Sequence, residues 1–193
     1  MITISIQKAI IFATLKHLKQ KRKGTEIPYI VHPMEVMQIL TDLDCSENTI
    51  IAGILHDTLE DTETTPEEIL KEFGEDVLSL VKLESEDKSK TWKERKQETI
   101  NHLKTAMLDV KLICFADKLS NLRSIYRDNL EIGEKLWERF IASKEDLHWY
   151  YRGVVDVISK QLKKSSFVIE KYITEYKELL NRVFTVDKKE FQE

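Results

Sequence analysis

An apolar run that ends abruptly in acid constrains this chain more than any other feature. Residues 52–62 read AGILHDTLEDT. Ile50, Ile51, Ile54 and Leu55 are apolar at helical spacing, which predicts a buried helix. His56, Asp57, Glu60 and Asp61 follow at once, and each is able to bind a metal or move a proton. In a continuous helix His56 and Glu60 stand one above the other, as do Asp57 and Asp61. Burying four ionisable groups is costly unless something offsets their desolvation. A bound cation does so, and a site is therefore expected here.

The rest of the chain predicts helices around that point. Only 5 Gly and 3 Pro interrupt 193 residues, and the dominance of Leu, Glu, Lys and Ile favours an all-α fold. The length suits a single domain, residues 1–193, with a sizeable core. No apolar run approaches the roughly 20 residues that span a bilayer, so no membrane partner is expected. The N-terminal 23 residues carry no basic residue ahead of their apolar stretch and no small-residue cleavage pattern, and read as an amphipathic first helix. Cys45 and Cys114 are far apart and flanked by apolar residues, as expected of buried thiols in a cytoplasmic protein.

Charge is unevenly spread. Residues 1–25 hold Lys8, Lys16, Lys19, Lys21, Arg22 and Lys23 and no acid, leaving 24 basic and 34 acidic residues for the remainder. A basic end on an acidic body suits local attraction for a small anion, not nucleic-acid binding. Lys8, Lys16 and Lys19 read as a solvated helix face. Arg22 and Lys23, beside the turn GTEIPY, are the candidates for function.

In order, the pattern predicts helices at about 3–21, 33–43 and 47–59, with Pro33 opening the second and Ser46 capping the third. Thr65-Pro66-Glu67-Glu68 forms a capping box, and Gly74 closes that short helix. Further helices are expected at about 75–83, 92–107, 109–127, 133–149 and 151–162. The charged stretch ESEDKSK (84–90) reads as a loop. A last helix, about 165–185, carries the stripe Ile169, Tyr172, Ile173, Tyr176, Leu179, Leu180, Val183 and Phe184. It is expected to pack on its own domain, with a homodimer interface as the alternative; the tail 187–193 is expected to fray.

Three more residues are candidates to join the cluster. His32 precedes Pro33 at the mouth of the second helix, where a histidine is either structural or a ligand. Asp117 follows the apolar run VKLICFA, where an unpaired carboxylate is expensive, and Asn121 lies one turn on. His17, His102 and His148 lack such neighbours and read as solvated or core histidines. Two imidazoles and two carboxylates suit a divalent ion such as Mn²⁺, Fe²⁺ or Co²⁺, and the lack of thiolates excludes a cysteine-type zinc site. Water on such an ion becomes a nucleophile near neutral pH. Glu60 and Asp61 are placed to orient it or take its proton.

These residues carry a family resemblance. RKGTEIPYIVHP (22–33), AGILHDTLEDT (52–62), the FG pair (73–74), EDKS (86–89), ERK (94–96) and FADKLSNLRS (115–124) occur in the order seen in the HD superfamily of metal-dependent phosphohydrolases. More closely, the chain resembles the hydrolase domain of the RelA/SpoT alarmone enzymes and their small stand-alone relatives, across about residues 8–160. The resemblance implies that His32, His56, Asp57 and Asp117 bind metal, usually Mn²⁺, and that Glu60 and Asp61 surround the attacking water. It also implies that Arg22 and Lys23 contact the nucleotide, with Asn121 near the ribose. The implied reaction removes the 3′-pyrophosphate of guanosine tetra- or pentaphosphate, giving GDP or GTP. Of Lys88, Lys90, Lys93, Arg95 and Lys96, one or two are expected to face the pyrophosphate, and Trp149 and Tyr150 are either pocket wall or core. The chain departs from the alarmone branch at residues 85–89, SEDKS in place of TDDKS, and is too short for a synthetase domain beside the hydrolase. Three rival readings stay open: an HD enzyme for another nucleotide (an adenosine alarmone, a nucleoside phosphate or a phosphorylated dinucleotide), a silent nucleotide-binding module, and a structural protein whose polar cluster is a satisfied salt-bridge network.

Overall fold

The computed structural model describes residues 2–84, 89–162 and 166–184. The loop expected at 84–90, with its EDKS motif and Lys88, and the tail 187–193 lie largely or wholly outside the described residues. Ten helices are described: α1 (Ile4–Lys16), α2 (Val31–Asp42), α3 (Glu47–Leu55), α4 (Thr58–Asp61), α5 (Pro66–Phe73), α6 (Glu75–Glu84), α7 (Trp92–Thr105), α8 (Leu108–Ile132), α9 (Lys144–Leu162) and α10 (Phe167–Phe184). A 3₁₀ segment, Gly133–Arg139, joins α8 to α9. Among the described residues the fold is all-α, with a single antiparallel bridge between Lys21 and Pro28 and no named strand. No described helix is long and apolar enough to cross a membrane.

Local chemistry fixes most helix ends. Ser46 accepts from the Thr49 N–H at the start of α3. Thr65 and Glu68 complete the expected capping box on α5, and Gly74 ends it with φ 88°, a left-handed value that glycine adopts without a Cβ penalty. Thr91 and Glu94 form a second capping box on α7.

Where the expected boundaries fail, tertiary contacts override propensity. The first helix stops at Lys16, not near residue 21, because the buried His17 ring stacks on Tyr29 with centroids 4.7 Å apart. The chain then doubles back through the Lys21–Pro28 bridge, with Tyr29 N donating to Gln20 O over 2.9 Å. The helix expected at 133–149 is instead the 3₁₀ segment, a break at residues 140–143, and the single helix α9 running through residue 150. Trp137 packs on Phe184, with centroids 5.4 Å apart, and on Phe140, which is extended. Gly133 ends α8 with φ 58°, and the aromatic contact sets the break that follows the 3₁₀ segment.

The core is one apolar cluster centred on α2, α3 and α8, which pack on one another. Gly53 permits the close approach of α3 to α2: a Cβ there would lie 2.3 Å from Leu40 Cδ1 and 3.2 Å from Val36 Cγ1. All eight stripe residues of α10 are buried, against α8 and α9 of the same chain. The stripe is thus used within the molecule and is not a free dimer face.

Candidate metal centre

The ionisable stretch does not continue as the expected helix. α3 ends at Leu55, and α4 begins only at Thr58. Two side chains take over carbonyls at the break: His56 Nδ1 donates to Gly53 O over 2.8 Å, and Thr58 Oγ1 donates to Leu55 O over 2.6 Å. Consecutive residues of a regular helix point about 100° apart. Across this break His56 Nε2 and Asp57 Oδ2 instead meet at 3.0 Å. Asp57 and Asp61 stay one turn apart, with Asp61 N donating to Asp57 O over 2.9 Å, while the knuckle between α3 and α4 aims His56 and Asp57 at one point.

His32 reaches the same point from α2, and Asp117 reaches it from α8. His32 Nε2 lies 3.2 Å from His56 Nε2, 3.2 Å from Asp117 Oδ1 and 3.5 Å from Asp57 Oδ2. His32, His56 and Asp117 are 2%, 4% and 5% exposed. One donor atom each from His32, His56 and Asp57 lies within 4.8 Å of the others, as needed to hold one metal ion.

Hydrogen bonding fixes which ring nitrogens face the centre. The His56 Nδ1 proton is committed to a carbonyl. Ser120 Oγ donates to Glu35 Oε2 over 2.7 Å, so it accepts from His32 Nδ1, 2.9 Å away. Both Nε2 atoms therefore present lone pairs to each other, an arrangement that requires a proton or a metal ion between them. Without metal, protons and neighbouring charges hold the cluster. Burial alone would push the His56 imidazole down, but Asp57 and Asp117 raise it well above its ordinary value. Burial would likewise raise Asp117, yet the Lys118 ammonium and the two imidazoles hold it well below the usual carboxylate range. Asp57 is also held low against its own desolvation, by His56 and His32. A divalent cation replaces that protonic compensation, and the donor set fits one.

A cavity of about 440 Å³ opens on this centre. His56, Asp57, Glu60, Asp117, Lys118 and Asn121 line its floor, and Arg95, Lys96, His102 and Tyr150 line its wall. Lys96 Nζ lies 5.1 Å from the Tyr150 ring centroid. Two of the five cations singled out in the sequence thus face the cavity. Lys93 instead pairs with Asp146 at 2.8 Å and covers Trp149, and Lys90 pairs with Glu98 at 2.6 Å. Tyr150 is pocket wall, whereas Trp149 does not line the cavity.

The remaining sequence candidates separate. Asn121 Nδ2 donates to Asp117 Oδ1, and its Oδ1 accepts from Arg22 over 2.8 Å, which brings Arg22 to the rim of the site. Lys23 lies over the Phe140 ring, 5.4 Å from its centroid, outside the cavity lining. Asp61 lines a second depression, on the α1 side of α4, that it shares with Glu60. Lys8 and Lys16 pair with Glu72 and Glu68 of α5, as suits a solvated face.

Four functional side chains escaped the sequence reading. The Tyr29 hydroxyl donates to Asp57, and burial followed by the Asp57 charge holds that phenol protonated. Lys118 pairs with Asp117. Ser120 and Glu35 set the His32 tautomer. One signal was available: Tyr29, His32 and Glu35, like Asp117 and Ser120, recur every three residues, the spacing of one helix face.

The HD domain family profile matches residues 9–141. The guanosine-3′,5′-bis(diphosphate) 3′-pyrophosphohydrolase MESH1 of Xenopus tropicalis is 42% identical over 125 residues, 63% of this chain and 70% of its own length. The guanosine-3′,5′-bis(diphosphate) 3′-pyrophosphohydrolase of Aquifex aeolicus is 42% identical over 124 residues, but the chain spans only 18% of its length. The solved structure of a metazoan orthologue of SpoT that hydrolyses ppGpp superposes with a TM-score of 0.72 at 30% identity, covering 91% of this chain and 95% of that one. With the His56–Asp57 pair at its metal-competent centre, the chain belongs to the HD domain family.

Proposed function

We propose that the protein is a metal-dependent hydrolase that removes the 3′-pyrophosphate of guanosine tetra- or pentaphosphate, releasing pyrophosphate and GDP or GTP. The observation that carries this reading is the convergence of two lone-pair imidazole nitrogens and two carboxylates at the floor of a cation-walled cavity. The frog relative, a guanosine-3′,5′-bis(diphosphate) 3′-pyrophosphohydrolase, and the metazoan one, which hydrolyses ppGpp, support the choice of substrate. Mn²⁺ suits four nitrogen and oxygen donors without thiolate. When bound, such an ion supplies Lewis acidity and makes water a nucleophile at neutral pH.

The chain's own residues do the rest. Glu60 faces the cavity beside Asp57 and takes the proton of the attacking water, while Asp61 adds negative charge behind it. Lys118, Arg95 and Lys96 stabilise the charge that develops on the departing pyrophosphate. Asn121, bonded to Arg22, holds Asp117 and marks the ribose side of the cleft. For Lys23 only the family resemblance supports substrate contact. We read the chain as one domain, α10 included, and its free Cys45 and Cys114 suit the reducing cytoplasm. The expected partner is a nucleotide; the ion pairing of Lys8, Lys16 and Lys21 leaves little free charge for nucleic acid.

The test is hydrolysis of guanosine tetraphosphate with Mn²⁺, products resolved by anion exchange. GDP and pyrophosphate, abolished by chelator, are the expected result. Turnover of other nucleotides alone would overturn the substrate, and silence across a nucleotide panel with metal bound would leave a binding module.

A further inference from the structure

The cluster is backed by an ordered chain of polar contacts that ends on α10. Glu175 of α10 grips Arg123 with both carboxylate oxygens, Nε to Oε1 at 2.6 Å and Nη2 to Oε2 at 2.8 Å. Arg123 Nη1 donates to Glu35 Oε1 over 3.2 Å. The other oxygen of Glu35 accepts the Ser120 hydroxyl, which in turn accepts from His32 Nδ1. Each link has one possible direction. A guanidinium only donates, a carboxylate only accepts, and a serine hydroxyl has one proton to give. Glu35, an acceptor on both sides, sets the direction of the Ser120 hydroxyl and hence of His32, whose Nε2 is left as a lone pair facing His56. Arg123, gripped by Glu175, holds Glu35 in place. α10 lies beyond residues 9–141, the segment that matches the family profile.

We infer that Glu175, Arg123 and Glu35 are positioning residues for the metal centre: through Ser120 they lock His32 as an Nε2 ligand, which makes α10 part of the site. The inference rests on the metal-site reading proposed above. Burial favours the relay, since Arg123 and Glu35 have side chains only 22% and 21% exposed. Arginine is required at the centre of it, because its planar fork bridges two carboxylates at once and a lysine ammonium does not hold that geometry. Glu35→Gln breaks the direction of the chain: the new amide donates to Ser120 Oγ, freeing the hydroxyl proton to point at His32 Nδ1. The ring then favours the Nε2–H tautomer, which does not bind a cation.

The experiment is the Mn²⁺ affinity of the full chain, read by electron paramagnetic resonance of free Mn²⁺, with thermal midpoints measured in parallel. Removing such a supporting partner typically weakens metal binding about 10- to 100-fold. Glu35→Gln and Ser120→Ala are expected within that range, and Glu175→Gln at its lower end. The double variant Glu35→Gln/Glu175→Gln should lose less than the product of the single losses, because both act on one chain. Tyr176→Phe is the control, since it removes a different anchor of α10, the 3.1 Å bond to Tyr151 O. It should lower the thermal midpoint and leave Mn²⁺ affinity unchanged. If Glu175→Gln fails to fold, Arg123→Lys carries the same test. Unchanged affinity in Glu35→Gln or Glu175→Gln overturns the relay, as does an equal affinity loss in Tyr176→Phe. A wild-type protein that binds no Mn²⁺ overturns the metal reading itself, a distinct failure.

Discussion

The floor and the wall of the cavity are built on opposite plans. At the floor, His32 and Asp117 come from α2 and α8 and His56 from the end of α3, three mutually packed helices, and each side chain is buried and hydrogen-bonded to a named partner. At the wall, the cations belong largely to α7, a polar helix that packs chiefly on α9. Lys93 on that helix and Lys90 just before it form exposed ion pairs that contribute little to stability. The floor is preorganised for one chemistry, whereas the wall offers charge on long, adjustable side chains. On the proposed reading, reaction type rests on the floor and substrate choice chiefly on the wall, and the two should fail separately.

The sharpest way to break this division is Asp57→Ala. It removes a proposed ligand and the counter-charge of His56 together, and should abolish both Mn²⁺ binding and turnover. Glu60→Ala should spare Mn²⁺ affinity and lower kcat about 100-fold or more, as for loss of a general base. Equal metal loss in both variants would mean that Glu60 is a ligand. At the wall, Lys96→Ala should raise KM about tenfold with a smaller change in kcat, the signature of lost uniform binding. A change confined to kcat would place Lys96 at the reacting phosphoryl group instead. Arg22→Ala, at the rim, should follow Lys96→Ala in kind with a smaller effect.

The smallest expected effect is on pH dependence. The His56 imidazole is raised by Asp57 and Asp117 in the metal-free protein, so its contribution to stability is complete below the ordinary histidine range. It is lost as pH climbs through the raised value. Mn²⁺ must displace that proton, and its binding therefore strengthens with pH over the same interval. Thermal midpoints in chelator should fall with rising pH above about 6.5, the ordinary value, while the increment given by Mn²⁺ grows. An increment independent of pH would show that His56 carries no proton to displace.

What could be read from sequence divides along similar lines. Features set by local chemistry were legible: the caps at Ser46 and Thr65, the stop at Gly74, and the α10 stripe, buried at every position named. The four expected ligands also converge, because ionisable groups beside apolar runs advertise a need for compensation. Features set by distant partners were not legible. The break at residues 140–143 depends on Trp137 meeting Phe184; the break after Leu55, by contrast, turns on a local choice, His56 and Thr58 taking carbonyls three residues back where the pattern offered a helix as readily. Glu35 and Ser120 sit 85 residues apart in sequence and make sense only once α2 and α8 are side by side.

The knuckle at His56–Asp57 has a further consequence for how this protein is free to vary. Two neighbouring positions serve one point only because the chain turns between two carbonyl-bound side chains, so the segment from Gly53 to Thr58 has a fixed length as well as a fixed alphabet. Adding or deleting one residue there would rotate all of α4 and carry Glu60 away from the cleft. Substitutions along α7 leave that spacing untouched. The molecule is thus punctuated: along the wall a change of spelling alters one word, but at the floor even a silent-looking indel rewrites the sentence.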